Sequence, residues 1–196
     1  IQNSPRENYH VEYMVTLEPN AQVPTVAPAN VGSALVAPDS KLLLISPDQL
    51  SAAYGSVLTM GEASPYYGLF DFTADTLVTQ VGKAYKDQKS SAISGRASID
   101  FSQSASSGAP LGLATLDSGA IVTVGLNEVE SVRPTETGAS VSLEGQAKIL
   151  SGITSSPTGV ESTYGLQLAF YVPPLGSKDK IRLLGYTQGL ISAKGL

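Results

Sequence analysis

Asp117, Ser118 and Gly119 stand between two apolar runs, PLGLATL and AIVTVGL. A carboxylate followed by two small residues has two uses at such a junction. It can open a tight turn between strands, accepting hydrogen bonds from the backbone just ahead of it, or it can stand as an acid–base group at a strand end. His10 is the only histidine, so a serine–histidine or cysteine–histidine relay would have to pass through it. Its ordinary place is the solvent side of a strand. One histidine excludes multi-histidine metal sites, and the absence of cysteine removes thiol nucleophiles, disulfides and Cys-based metal sites together. Asp71 with Asp75, and Glu128 with Glu130, read as solvated faces rather than metal or acid–base pairs. GLATLDSGAIVTVG has neither the lysine nor the strand–loop–helix context of a phosphate loop. No metal, no cofactor and no catalytic residue is expected, with Asp117 as the alternative.

Asp117-Ser118-Gly119-Ala120, placed after an apolar run, resembles the active-site loop of retropepsin-type aspartic proteases. Leu183, Leu184 and Gly185 in IRLLGYT are similar to that family's downstream apolar-apolar-Gly motif. The resemblance spans Ser91 to Leu196 and implies a homodimer whose paired aspartates share a proton. Tyr186 and Thr187 stand where the family has Arg followed by Asp or Asn. The competing reading makes Asp117 the first residue of a turn.

The elements that must position these residues follow from periodicity. In SPDQLSAAYGSVLTMG, Ser46 suits a cap, Pro47 the first helical position and Gln49 a capping box, and Gly61 stops the helix. Leu50, Ala53, Tyr54, Val57 and Leu58 fall on one face of it. Thr73 to Gln88 predicts a second helix, weakened by Gly82. KLLLIS reads as a buried strand. From Ser90 onward, AISGRASIDFSQ, PLGLATLD, AIVTVGLNEV, ASVSLEGQAKIL, TYGLQLAFYV and KIRLLGYTQGLI read as strands separated by turn residues. The fold class is all-β, or β-rich with one or two short helices, of immunoglobulin-like or jelly-roll sandwich type. The expected organisation is an N-terminal strand over 1–18, a Pro-rich connector over 19–33 and a β-sandwich domain over 34–196.

In YHVEYMVTLEP, Tyr9, Val11, Tyr13, Val15 and Leu17 alternate with polar or larger neighbours, so an extended chain presents them to one side. Such a strand completes either its own sheet or that of a neighbour. The segment resembles the donor strand of pilin-type fimbrial subunits that polymerise by strand complementation, and the resemblance implies these five residues as anchors in a neighbour's groove. Composition agrees with an assembled extracellular protein: 15% charged residues and a net charge of −5. That charge, without a basic run, argues against nucleic acid. No apolar run is long enough to cross a bilayer, so no membrane insertion is expected. The chain begins at Ile1, which fits a processed mature protein or a trimmed one. The expectation is a self-assembling subunit of an extracellular, cell-surface filament, partnered by identical subunits and a host or surface receptor. A viral jelly-roll coat protein in a virion, and a homodimeric aspartic protease, are the alternatives.

Overall fold

The computed structural model describes residues 6, 8 and 10–196. Its first regular element is the two-residue strand β1 (Thr16–Leu17), followed after the Pro-rich stretch by β2 (Leu35–Val36). Helix α1 (Pro47–Met60) comes next, then β3 (Phe70–Asp71), α2 (Leu77–Val81) and α3 (Lys83–Ile93). The rest is β4 (Ala97–Ala105), β5 (Leu111–Ala114), β6 (Ala120–Pro134), β7 (Val141–Ser142), α4 (Gly145–Ser151), β8 (Ser155–Ser156), β9 (Val160–Val172) and β10 (Ile181–Gly195). The fold is β-rich and sandwich-like, and its main sheet runs β1-β10-β9-β6-β5-β2. β4 joins it along the second half of β6, from Ala97 opposite Pro134 to Ala105 opposite Leu126. β3 runs parallel to β10, beside Ile181 and Arg182.

The three longest strands, β6, β9 and β10, carry an inner face that changes character along their length. On β6 the even-numbered residues point inward: Ala120, Val122, Val124 and Leu126, then Glu128 and Glu130, all buried. The apolar end is covered by α1, whose Leu50, Ala53, Tyr54, Val57 and Leu58 are buried against Val122, Val124, Leu126, Leu168 and Phe170. This is the helical face that the spacing predicts. Tyr54 meets the Phe170 ring nearly edge-on at 5.0 Å and Phe70 at 5.4 Å, tilted arrangements that suit the ring quadrupoles. One core thus draws on residues from both sides of Ser90.

Several local expectations are corrected. No capping box forms at α1: the Ser46 hydroxyl donates to Asp48 and accepts no hydrogen bond from the helix backbone. Gly61 does end the helix, with φ +59° and its N–H on Val57 O. The helix expected over 73–88 is two helices, since Gly82 is extended and its missing Cβ would lie 2.2 Å from Val78 O. KLLLIS is no strand: Leu43 alone bridges Pro174, because Pro173 and Pro174 have no N–H with which to extend a ladder. ASVSLEGQAKIL splits into β7 and α4, the helix opening on Gly145 at φ +53° and closed by Gly152 at φ +70°.

The polar end of the inner face is closed by α3. Lys86 reaches Glu128 at 2.5 Å, and the two side chains are 6% and 5% exposed. Lys86 also donates to Leu58 O at 3.3 Å and lies over the Phe101 ring, while Gln103 donates to Glu128 at 2.9 Å. Removing one member of such a pair leaves the other charged and dry. Lys86→Met is expected to cost about 3–5 kcal/mol in urea unfolding, and Lys86→Met combined with Glu128→Leu is expected to recover most of that loss.

Candidate functional site

Three places bring chemically competent side chains together: the β5–β6 turn, the N-terminal segment, and the polar seam beneath α2 and α3. In the turn, Ala114 opposite Ala120 is the last pair of the ladder. Thr115 N–H donates to Gly119 O at 3.0 Å and Ser118 N–H to Thr115 O at 3.3 Å. Ser118 takes φ +68°, a left-handed conformation that a small residue beside glycine tolerates in a turn. Gly119 is required by close approach, since a Cβ there would sit 2.7 Å from the Tyr171 ring and 2.9 Å from Val172 O.

Asp117 itself is exposed and fully engaged. Its Oδ1 accepts from the Thr115 hydroxyl and from Gly119 N–H, and its Oδ2 accepts from the Tyr171 hydroxyl at 2.8 Å. The Thr115 bond holds the carboxyl below its ordinary range, with Tyr171 and the Gly119 amide assisting. Burial, then the hydrogen bond and charge of Asp117, push the Tyr171 phenol up to about 12. Arg182 lies over the same ring, 4.9 Å from its centroid. Of the three residues similar to a downstream protease motif, Leu183 is in the main core, Leu184 is buried on the sheet's outer face beside Tyr171, and Gly185 faces β1. The carboxylate thus ties a turn to the neighbouring strand β9.

The five anchors proposed for the N-terminal strand are dispersed. Tyr9 lies outside the described residues. Val11 is 79% exposed and Leu17 53% exposed. Val15 packs on the outer face against Ala169, Tyr171 and Leu184, and Tyr13 donates its hydroxyl to Ala109 O at 2.8 Å. Among the described residues of the segment, only Thr16 and Leu17 are paired as strand, opposite Tyr186 and Gly185. Upstream of them the chain leaves the edge and crosses the outer face, where Met14 N–H donates to the Gln167 side chain at 2.7 Å. Glu18 fixes the root of this segment. It is buried, its N–H donates to Leu184 O at 2.9 Å, and its carboxylate accepts from the Thr76 N–H and hydroxyl.

The polar seam was not visible as a site in the sequence, and the reading of its acids as solvated faces is corrected: Asp75, Glu128 and Glu130 are all buried. Asp75 accepts from the buried Tyr54 hydroxyl at 2.8 Å, and burial raises its carboxyl above the ordinary range despite that bond. Next along the seam, Thr76 and Gln80 both reach the Tyr186 hydroxyl. Beyond them Lys89 binds both oxygens of Glu130, at 2.7 and 2.6 Å. Burial works against the Lys89 ammonium, but Glu130 outweighs it and holds the lysine above its usual range. One signal did exist: Glu128 and Glu130 are in phase with Val122, Val124 and Leu126, so they had to share the buried face. Among the described residues, no group of three or more histidine, aspartate or glutamate side chains is arranged to hold a metal ion. No helix among them is long and apolar enough to cross a membrane.

The turn supplies a titration test. Because the folded phenol lies above its usual value of 10, Tyr171 contributes stability that is complete below about pH 10 and is lost as pH rises through about 12. Asp117→Asn keeps the turn, so unfolding free energy is expected to change by less than about 1 kcal/mol near neutral pH. The Tyr171 phenol, followed by tyrosine ring 13C NMR, should titrate at lower pH in the variant while remaining raised by burial. An unchanged titration would show that the carboxylate does not act on the ring.

Comparison with curated proteins and with solved structures returned no match. A family model does match, over residues 1–195, which is nearly the whole chain. The chain belongs to the family described as "Domain of unknown function (DUF8094)".

Proposed function

We propose that the chain is a non-catalytic structural subunit that assembles with copies of itself into an extracellular filament used for surface attachment. Each copy would lend its N-terminal segment to a sheet edge of the next. The observation that carries the reading is β4: nine residues long, it is paired with β6 on one side and with no described strand on the other. A long unpaired edge is a template for an added strand, and natural sheets usually blunt one with charge or proline. β4 has a single charge, Asp100, and no proline.

The edge is accompanied by a groove of about 390 Å3 between α1 and the end of β4, walled by Ala52, Gly55, Ser56, Ser102 and Leu126. Strand addition uses this combination, main-chain bonds along an edge with room beside it for alternate side chains. The N-terminal segment is the occupant the sequence offers. Its period-two residues suit an edge, yet among its described residues only Thr16 and Leu17 are paired as strand, and Val11 is spent on solvent. Glu18 and β1 hold its root, and upstream of them Tyr13 and Met14 are tied by one hydrogen bond each and Val15 by packing. In this reading Asp117 is a turn residue.

Two variants separate the parts. Deleting residues 1–15 removes the donor but keeps Glu18. Ala52→Glu puts a carboxylate into the groove at an exposed helical position, where the monomer is expected to lose no more than about 0.5 kcal/mol. Negative-stain microscopy and sedimentation should show filaments for the intact chain, monomers for either variant alone, and one-to-one heterodimers when the two are mixed. Intact protein that stays monomeric at high concentration sinks the proposal, and closed shells would favour the coat-protein alternative.

A further inference from the structure

A second cavity, sharing no lining residue with that groove, lies between α2, α3 and the polar end of the inner face. Its volume is about 160 Å3, well under the roughly 300–1,000 Å3 of pockets that take drug-sized ligands, so its occupant is a single ring or smaller. Tyr85, Lys89, Glu130, Tyr164 and Gln188 supply its polar lining, and Leu166 an apolar wall.

The electrostatics of that lining select against charge. Every ionic group in it is already matched within the protein: Lys89 is bound to Glu130, and Glu128, which also borders the cavity, is bound to Lys86. A charged guest would have to break one of these pairs and leave a partner uncompensated in a half-dry site. The unused capacity is neutral. Among the described residues, the hydroxyls of Tyr85 and Tyr164 and the amide of Gln188 make no hydrogen bond. A hydroxyl both donates and accepts, and an amide offers two donors and an acceptor. A guest that satisfies them must itself carry several groups able to donate and accept, on a frame that tolerates aromatic and aliphatic neighbours.

We infer that this cavity binds one neutral, hydroxyl-bearing ring, a pyranose sugar or cyclic polyol, held by Tyr85, Tyr164 and Gln188. The inference does not depend on filament assembly, because the cavity and the α1–β4 groove share no lining residue that it uses.

The test is a 1H–15N NMR titration of the intact chain with glucose, galactose, mannose and myo-inositol, set against glucuronate and glucosamine as charged counterparts. At least one neutral ring is expected to give saturable shifts centred on Tyr85, Lys89, Tyr164 and Gln188. The charged rings are expected to bind about 10-fold more weakly or not at all. Tyr164→Phe deletes one hydroxyl and should weaken binding roughly 5- to 10-fold. Gln188→Leu, at an exposed position, provides the same test should the tyrosine variant unfold. Methyl glycosides of the bound ring distinguish sources: retained affinity identifies a glycan end, and lost affinity a free sugar. Absence of saturable shifts with every neutral ring, tighter binding of a charged one, or affinity unchanged in both variants would overturn the assignment.

Discussion

A lysine and a glutamate shut away from water hold the helical layer to the far half of the sheet. At the near end, α1 meets β6 and β9 through aliphatic and aromatic side chains, with one buried hydrogen bond from the Ser51 hydroxyl to Gly125 O. Past Leu126 the inner face turns acidic, and burial becomes a cost unless each carboxylate finds a cation. Lys86 and Lys89, three apart on α3 and so on one side of it, meet that requirement for Glu128 and Glu130. Gly82 matters for this reason: by breaking the helix it lets α3 take a direction of its own over the acidic end. The supporting bonds from Gln103, Leu58 O and the Phe101 face make the pair a network rather than an isolated bridge.

The same seam connects the interior to the N-terminal segment. Tyr54, in the centre of the core, bonds to Asp75, and the next residue, Thr76, holds Glu18. The chain is therefore firm at residue 18, and upstream of it Val15 packs on the outer face while Val11 is exposed. Gly185 allows this arrangement, because a Cβ there would lie 2.4 Å from Thr16 O and would push β1 off its edge. Between the fixed root and Val11, the backbone changes from edge pairing to a crossing of the outer face.

The parts of this structure that could be read from sequence are those where one periodicity ruled. The apolar face of α1, the strands β6, β9 and β10, and the Asp-Ser-Gly turn between β5 and β6 each express a local rule that packing does not overturn. Where two rules competed, the reading failed. Leu42 to Ile45 have strand composition, but their neighbours are Pro173 and Pro174, two positions remote in sequence and unable to donate. Residues 139–150 alternate well enough for a strand, yet Gln146, Ala147, Lys148 and Leu150 favour helix once Gly145 has turned the chain. The polar seam was hidden for another reason. Asp75, Glu128 and Glu130 were matched with neighbours in sequence, whereas their real partners, Tyr54, Lys86 and Lys89, lie 21, 42 and 41 residues away.

The acidic end of β6 also has a bearing on alignment errors during folding. A one-residue slip of this strand would turn its apolar side chains outward and is strongly disfavoured on that ground alone. A two-residue slip would preserve the faces, and a uniformly aliphatic strand would have little defence against it. Here it would move a glutamate into the place of Leu126, beneath α1, where no lysine waits, at a cost of several kcal/mol. The buried charges thus act as an index mark on a long strand whose hydrophobic pattern repeats too regularly to count itself.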